Sequence, residues 1–328
     1  RFVLGEIQFN MLDEMEVPKH PYNQMSVKKS LAAGAAAGFL LACCILGVLS
    51  LLRRTARDPE EMKQVTSLKC LAMIPHIQVK ARKNQSRRRI SVLDERTPYG
   101  YRESMRSLRV RLGRAAKKEG CTVVLVTSTA PGEGKSVVAV NLAQSLAADG
   151  KEVLLIDGDL RNQSDGTLLG IKGRYDLKDA AENEKGGAGL IGRVRGSGLH
   201  FLGSARKYKK TAAILTAEGV RAFIESARER MDYVILDSPA CEMFQDAGLL
   251  AEYADLILYV VQYDLVPQNR IREGLASLSG RRASFAGYVF NQCPETGGVY
   301  GYGRYGYGYG YGYGYRKYAQ KQEEGEAL

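Results

Sequence analysis

The sequence predicts an α/β protein with a doubly wound, mostly parallel sheet, and three observations predict it. Short apolar or β-branched runs, at Thr122–Val126, Val153–Asp157, Leu199–Leu202, Val234–Leu236, Leu256–Val261 and Ala286–Phe290, alternate with stretches of helical pattern. Runs without a polar break are what strands buried on both faces require, and their alternation with helices implies right-handed crossovers into a parallel sheet. The second observation is a turn, Pro131-Gly132-Glu133-Gly134, placed between the first run and Lys135-Ser136. The third is a set of acids at strand ends, Asp157, Asp159 and Asp237, where open sheets of this kind collect their ligands. At 328 residues the chain holds one full α/β domain and flanking segments.

In chain order, residues 1–29 begin without Met and read as the end of a larger region. Leu31 to Leu52 follows with no charge in 22 residues. That is roughly 33 Å of helix at ~1.5 Å per residue, so residues 30–52 are predicted to span a bilayer. The run is internal and flanked by Lys28-Lys29 and by Arg53-Arg54, unlike a signal peptide, and the basic bias puts its C-terminal side in the cytoplasm. Residues 53–96 form a basic juxtamembrane linker, including Arg87-Arg88-Arg89. Between residues 53 and 120, nineteen Lys and Arg face seven Asp and Glu, which accounts for the chain's net charge of +11. A basic strip beside an apolar span suits anionic membrane lipids, at about 1 kcal/mol per residue near the surface, better than a nucleic-acid footprint on a folded core. A solvated linker is the plainer alternative.

Residues 97–293 are predicted to be the folded domain. It opens on a helix, Tyr101 to Lys118, with an apolar stripe at Met105, Leu108, Leu112 and Ala115 or Ala116. Glu103, Arg106 and Arg109 occupy a separate face, either as an i,i+3 ion pair or as a docking surface. After the first strand, two Cβ-free positions let backbone N–H groups turn inward together, and Lys135-Ser136 opens a helix at its positive dipole end. Pro131, Gly132, Glu133, Gly134, Lys135, Ser136 and Val137 thus read as a phosphate cradle, a P-loop in which Lys135 reaches the β/γ-phosphates and the Ser136 hydroxyl meets Mg²⁺. The strict pattern has a glycine where this chain has Thr129. Asn291, ending the last strand, is either an adenine contact or a turn former.

Three motifs together carry a family resemblance: Ser128…Pro131-Gly-Glu-Gly-Lys-Ser136, Asp157-Gly-Asp159-Leu-Arg161 and Asp237-Ser-Pro239. The chain resembles the bacterial protein-tyrosine kinases, or BY-kinases, of capsule and exopolysaccharide export. Relatives that partition chromosomes or place the division site carry a lysine where this chain has Ala130, which argues against them. The resemblance implies a P-loop ATPase fold that binds ATP and Mg²⁺ and phosphorylates tyrosine. It implies Lys135, Asp157, Asp159, Arg161 and Asp237 as catalytic residues, and Ser136, Asp157, Asp159 and Asp237 around the metal. Either Asp157 or Asp159 takes the tyrosine proton, and Arg161 steadies the acceptor or its own loop. Glu103, Arg106 and Arg109 fit the family's E-x-x-R-x-x-R helix, through which subunits form rings. Val17-Pro18…Pro21-Tyr22 resembles the segment before the second membrane helix of polysaccharide co-polymerases. The partners implied are further copies of the chain, a cognate tyrosine phosphatase and the polysaccharide polymerase and export machinery, at the bacterial cell membrane with the kinase domain cytoplasmic. Asn162-Gln163 and Ala240 depart from the family pattern, which usually has a basic residue and proline, and a second proline, at these places.

Residues 294–328 form the tail, where Tyr300, Tyr302, Tyr305, Tyr307, Tyr309, Tyr311, Tyr313, Tyr315 and Tyr318 mostly alternate with glycine. With no aliphatic companions and maximal backbone entropy, the stretch is predicted to be disordered. As composition alone it reads as a self-associating segment, and the resemblance makes it the phosphoacceptor cluster. Cys43 and Cys44 lie in the apolar span, while Cys70, Cys121, Cys241 and Cys293 form no C-x-x-C pair, consistent with reduced thiols. His20, His76 and His200 are isolated and receive no chemistry. Two rival readings remain, a membrane-tethered partitioning-type ATPase and a co-polymerase scaffold without catalysis.

Overall fold

A computed structural model describes residues 27–52, 54–77, 90–119, 122–183, 188–194 and 196–294. The chain divides into two compact units, residues 1–54 and residues 55–328. In the first, α1 (Val27–Leu52) is one unbroken helix whose stretch Val27–Val48 is long and apolar enough to cross a membrane.

The second unit begins with α2 (Pro59–Val65), which Asp58 starts by accepting the Glu61 N–H at 2.8 Å. Then come β1 (Cys70–Pro75), α3 (Tyr99–Glu119), β2 (Val123–Ser128), α4 (Lys135–Ala148), β3 (Val153–Asp157), α5 (Asp165–Leu169) and α6 (Leu177–Ala181). The chain continues through β4 (Gly192–Arg193), β5 (Leu199–Leu202), α7 (Ala212–Leu215), α8 (Glu218–Arg230), β6 (Tyr233–Asp237), α9 (Asp246–Ala251), β7 (Leu256–Gln262), α10 (Gln268–Leu278) and β8 (Ser284–Cys293). The strands form one sheet in the order β1-β8-β7-β2-β6-β3-β5-β4, parallel throughout except at the short β4–β5 pair.

Strand β2 lies at the centre and is buried at every residue, as its unbroken apolar run requires. Successive side chains serve opposite faces. Val123 and Leu125 join a core with Phe223, Leu250 and Ile271, whereas Val124 and Val126 join one with Leu108, Leu112 and Leu142. Helices α3 and α4 therefore cover one face and α8, α9 and α10 the other. The predicted stripe of α3 holds: Met105, Leu108, Leu112 and Ala116 are all buried.

One boundary differs from expectation. The segment 53–96, expected as a linker, contains α2 and β1, and β1 extends the sheet by pairing in parallel with β8. Leu71, Ala72 and Ile74 are buried there, so folding begins at Thr55 rather than at residue 97. Thr55 bridges to Pro267, its carbonyl accepts from Gln268 Nε2 at 3.1 Å and its hydroxyl donates to Asp264, which also pairs with Arg57 at 3.0 Å. Farther on, Val92 donates its N–H to Asn141 Oδ1 at 2.7 Å, fastening the approach to α3 onto α4. A six-residue strand among basic residues carries too little pattern to be separated from its surroundings. The arginines 87–89 lie outside the described residues, as do residues 1–26.

Candidate nucleotide and metal site

Three neighbouring strands, β2, β6 and β3, end side by side, and the site is built from their tips. Past β2 the backbone turns through Gly132 and Gly134 at φ +89° and +87°, values that side-chain-bearing residues rarely adopt. A Cβ on Gly134 would also collide with Asn291 Nδ2. Gly134 caps α4 without a side-chain bond, so the first-turn amides stay available to an anion.

Two predicted nucleotide contacts brace this cradle from behind. The Glu133 side chain is fully buried and accepts N–H groups from Ala130 at 2.7 Å and Gln262 at 3.2 Å. Burial nevertheless pushes its carboxyl up to about 7. Asn291, also buried, donates from Nδ2 to the Glu133 carbonyl at 2.8 Å. The last strand thereby holds the turn in shape.

Lys135 Nζ lies 3.6 Å from Asp159 Oδ2, with the two side chains only 14% and 13% exposed, and 3.3 Å from Ser136 Oγ. Burial alone would lower the lysine pKa, but Asp237, Asp159, Asp165 and Asp157 together raise it. Asp157 and Asp237 are register partners on adjacent strands. Gly158 allows the approach: its N–H donates to the Asp237 carbonyl at 2.8 Å, and a Cβ there would stand 2.6 Å from that same oxygen.

Asp157 Oδ2 accepts the N–H groups of Ser164 and Asp165, at 2.8 and 3.0 Å, while its Oδ1 has no hydrogen-bond partner. Among the described residues neither oxygen of Asp237 or of Asp165 has one either. One ligand oxygen each from Asp157, Asp165 and Asp237 falls within 4.8 Å of the others. Burial drives all three carboxyls upward, and the Asp237 charge adds to the rise at Asp157 and at Asp165. Fixed, dry, unpartnered carboxylate oxygens beside a phosphate cradle fit a hard dication such as Mg²⁺. Asp165 escaped the sequence reading because it opens the short helix α5, at no strand tip and in no motif.

The remaining predicted residues are spread. Arg161 turns away from the cluster: Nε donates to Asp246 Oδ2 at 3.0 Å, Nη2 to Thr211 Oγ1 at 2.7 Å and Nη1 to the Lys209 carbonyl at 3.2 Å, with its guanidinium 4.0 Å from the Phe244 ring centre. It ties its loop to the outer layer. Gln163 donates to Asp176 Oδ2 at 3.1 Å and to the Arg206 carbonyl at 3.0 Å while accepting the Ser204 N–H at 2.6 Å, bonds a proline could not make. On α3, Glu103 and Arg106 form an exposed pair at 4.0 Å. Arg109 instead reaches the Ser145 carbonyl at 3.0 Å and Asp149 at 3.1 Å, so the predicted triad is split. The tail tyrosines lie outside the described residues.

Comparison with known proteins agrees with this geometry. The model of the CobQ/CobB/MinD/ParA nucleotide binding domain family (CbiA) matches residues 124–293. The tyrosine-protein kinase CpsD of Streptococcus pneumoniae is 31% identical over 192 residues, covering 56% of this chain and 83% of that protein. The succinoglycan biosynthesis transport protein ExoP of Rhizobium meliloti is 25% identical over 309 residues, covering 86% of this chain and 39% of that protein. The chain spans about two fifths of the length of its longer relatives. The kinase domain of the Escherichia coli tyrosine kinase ETK shares the fold, with a TM-score of 0.66 at 21% identity over 78% of this chain and all of that one.

Proposed function

Because the chain belongs to the CobQ/CobB/MinD/ParA nucleotide-binding family, among its bacterial tyrosine-protein kinases, we propose that it is an ATP-dependent tyrosine autokinase at the bacterial cell membrane. The observation that carries the reading is the meeting of an uncapped glycine cradle with Lys135 and the acids at the tips of β3 and β6. Phosphoryl transfer asks a protein mainly for positioning and charge compensation. In this reading the α4 amides and Lys135 hold the ATP phosphates, and Ser136, Asp157 and Asp237 hold Mg²⁺. When bound, the dication neutralises phosphate charge.

A tyrosine hydroxyl, with a pKa near about 10, needs a base worth ~10²–10⁴ in rate. Asp159 suits that role. Asp157 is fixed by two backbone N–H groups, whereas Asp159 is held at the cleft, among the described residues, by its ion pair with Lys135 and a bond from the Asn162 N–H. A phosphate on Lys135 would free Asp159. The tyrosine oxygen then takes the γ-phosphoryl group, its proton passes to Asp159 and ADP leaves.

The acceptors in this reading are the tail tyrosines of a neighbouring copy, docked through the exposed Glu103–Arg106 face in a ring, with a phosphatase restoring the tail. The likeness to a succinoglycan biosynthesis transport protein supports a role in polysaccharide export, with control of chain length as part of the same proposal. Helix α1 supports a membrane anchor, and the basic stretch after it supports contact with anionic lipids.

Incubation of the purified protein with Mg-ATP is expected to yield phosphotyrosine, and Lys135→Met to abolish it while leaving the fold intact. Hydrolysis without phosphotyrosine would favour the partitioning-type ATPase, and neither product would favour the scaffold. Ala130 already disfavours the former: its N–H is bound by Glu133 where partitioning relatives carry lysine.

A further inference from the structure

We infer that Asp165 completes a divalent-cation site with Asp157 and Asp237, and that this chain fills it without nucleotide. The inference deepens the reading above, which gave the metal to Asp157, Asp237 and Ser136 and left Asp165 no part.

Position comes first. Asp165 reaches the cluster because the chain after β3 folds back on itself: the same Asp157 oxygen that accepts the Ser164 N–H also accepts that of Asp165. This fixes the Asp165 backbone beside Asp157 and, through the β3–β6 pairing, beside Asp237. Gln163, clamped to Asp176 and to the 204–206 loop, holds the returning segment from its other side.

What points to a ligand is the unmet bonding capacity. Asp165 and Asp237 are fully buried, yet among the described residues none of their oxygens meets hydrogen-bond geometry, although Ser136 stands near Asp237, and one Asp157 oxygen lies within 4.8 Å of an oxygen of each. Buried carboxylates stripped of water need a donor or a cation. Lys135 supplies one positive charge, paired with Asp159 at 3.6 Å and shared with Asp237, so four acids face a single lysine and a dication is the compact answer. The spread, within 4.8 Å, also fits. An ion at about 2.0–2.6 Å from each oxygen places cis and trans oxygen pairs roughly 3 to 5 Å apart. Oxygen-only ligation selects Mg²⁺, Mn²⁺ or Ca²⁺ over softer metals.

The probe is Mn²⁺, followed by loss of its free aqueous EPR signal as the nucleotide-free protein is titrated. Saturable uptake near one equivalent is expected, weakened at least tenfold by Asp165→Asn. Uptake equal in wild type and variant, or none in wild type, overturns the inference. Should Asp165→Asn fail to fold, thermal unfolding of the wild type decides. Binding to the native state alone raises Tm with concentration, so Mn²⁺ at millimolar level must raise it without nucleotide where equal ionic strength of NaCl does not. No rise refutes the site. Phosphotyrosine formation with Mg-ATP is scored separately, so the kinase reading can stand while this site fails, and the reverse.

Discussion

Glu133 shows how a residue can belong to a nucleotide loop without facing the nucleotide. Its carboxyl, ordinarily near 4.5, is held at about 7 by burial. The folded chain thus binds this proton more tightly than the unfolded chain does. Its contribution to stability is full below pH 4.5 and fades as pH rises through 7, by roughly 3 kcal/mol at about 1.4 kcal/mol per pKa unit. Asp157, Asp165 and Asp237 shift in the same direction. Denaturant unfolding between pH 4.5 and 8 should therefore show stability declining with pH, and Glu133→Gln should flatten part of that slope. An unchanged slope would mean that the two N–H bonds outweigh burial. Asp157 and Asp237 were legible in the sequence because each ends an apolar run, and Lys135 because it follows the glycine turn and opens a helix. Asp165 was not, since its place depends on a hydrogen bond made eight residues back, and of the two roles read for Arg161, steadying the acceptor or its own loop, the structure displays contacts of the second kind.

At the scale of elements, α3 separates stability from assembly. Its buried stripe carries the fold: Leu108→Ala should cost about 2–5 kcal/mol in denaturant unfolding. Its exposed pair should not. Glu103→Ala with Arg106→Ala is expected to stay within about 0.5 kcal/mol of wild type, while sedimentation shows weaker association and labelling in trans falls. Unchanged association would leave the pair as an ordinary surface contact. Arg109 is kept out of that variant, because its bonds to Ser145 and Asp149 anchor α3 to α4. The central strands were readable from their unbroken apolar runs, since a strand covered on both faces admits polar residues only toward its tip. Strand β1 was not, because its six residues owe their conformation to β8 at the far end of the chain.

For the molecule as a whole, the sequence places nine tyrosines after a sheet whose strand tips are acidic. From Asn291 to Tyr309 the chain could reach about 60 Å at full extension, far enough for a neighbour's cleft. Each phosphate would add about −1.5 to −2 charges, repelling other tails and the acids of that cleft. Full tail phosphorylation is therefore expected to disperse the assembly, and an oligomer that sediments unchanged afterwards would end that proposal. The clasp at Thr55 has a mechanical consequence. Tension entering the second unit from residue 54 meets the Thr55–Gln268 and Thr55–Asp264 bonds first, then Arg57–Asp264, before any strand is pulled. These bonds join the entering chain to Asp264, in the turn after β7, and to Gln268 at the start of α10. A pull at that point is thus spent first on a few surface hydrogen bonds that can reform.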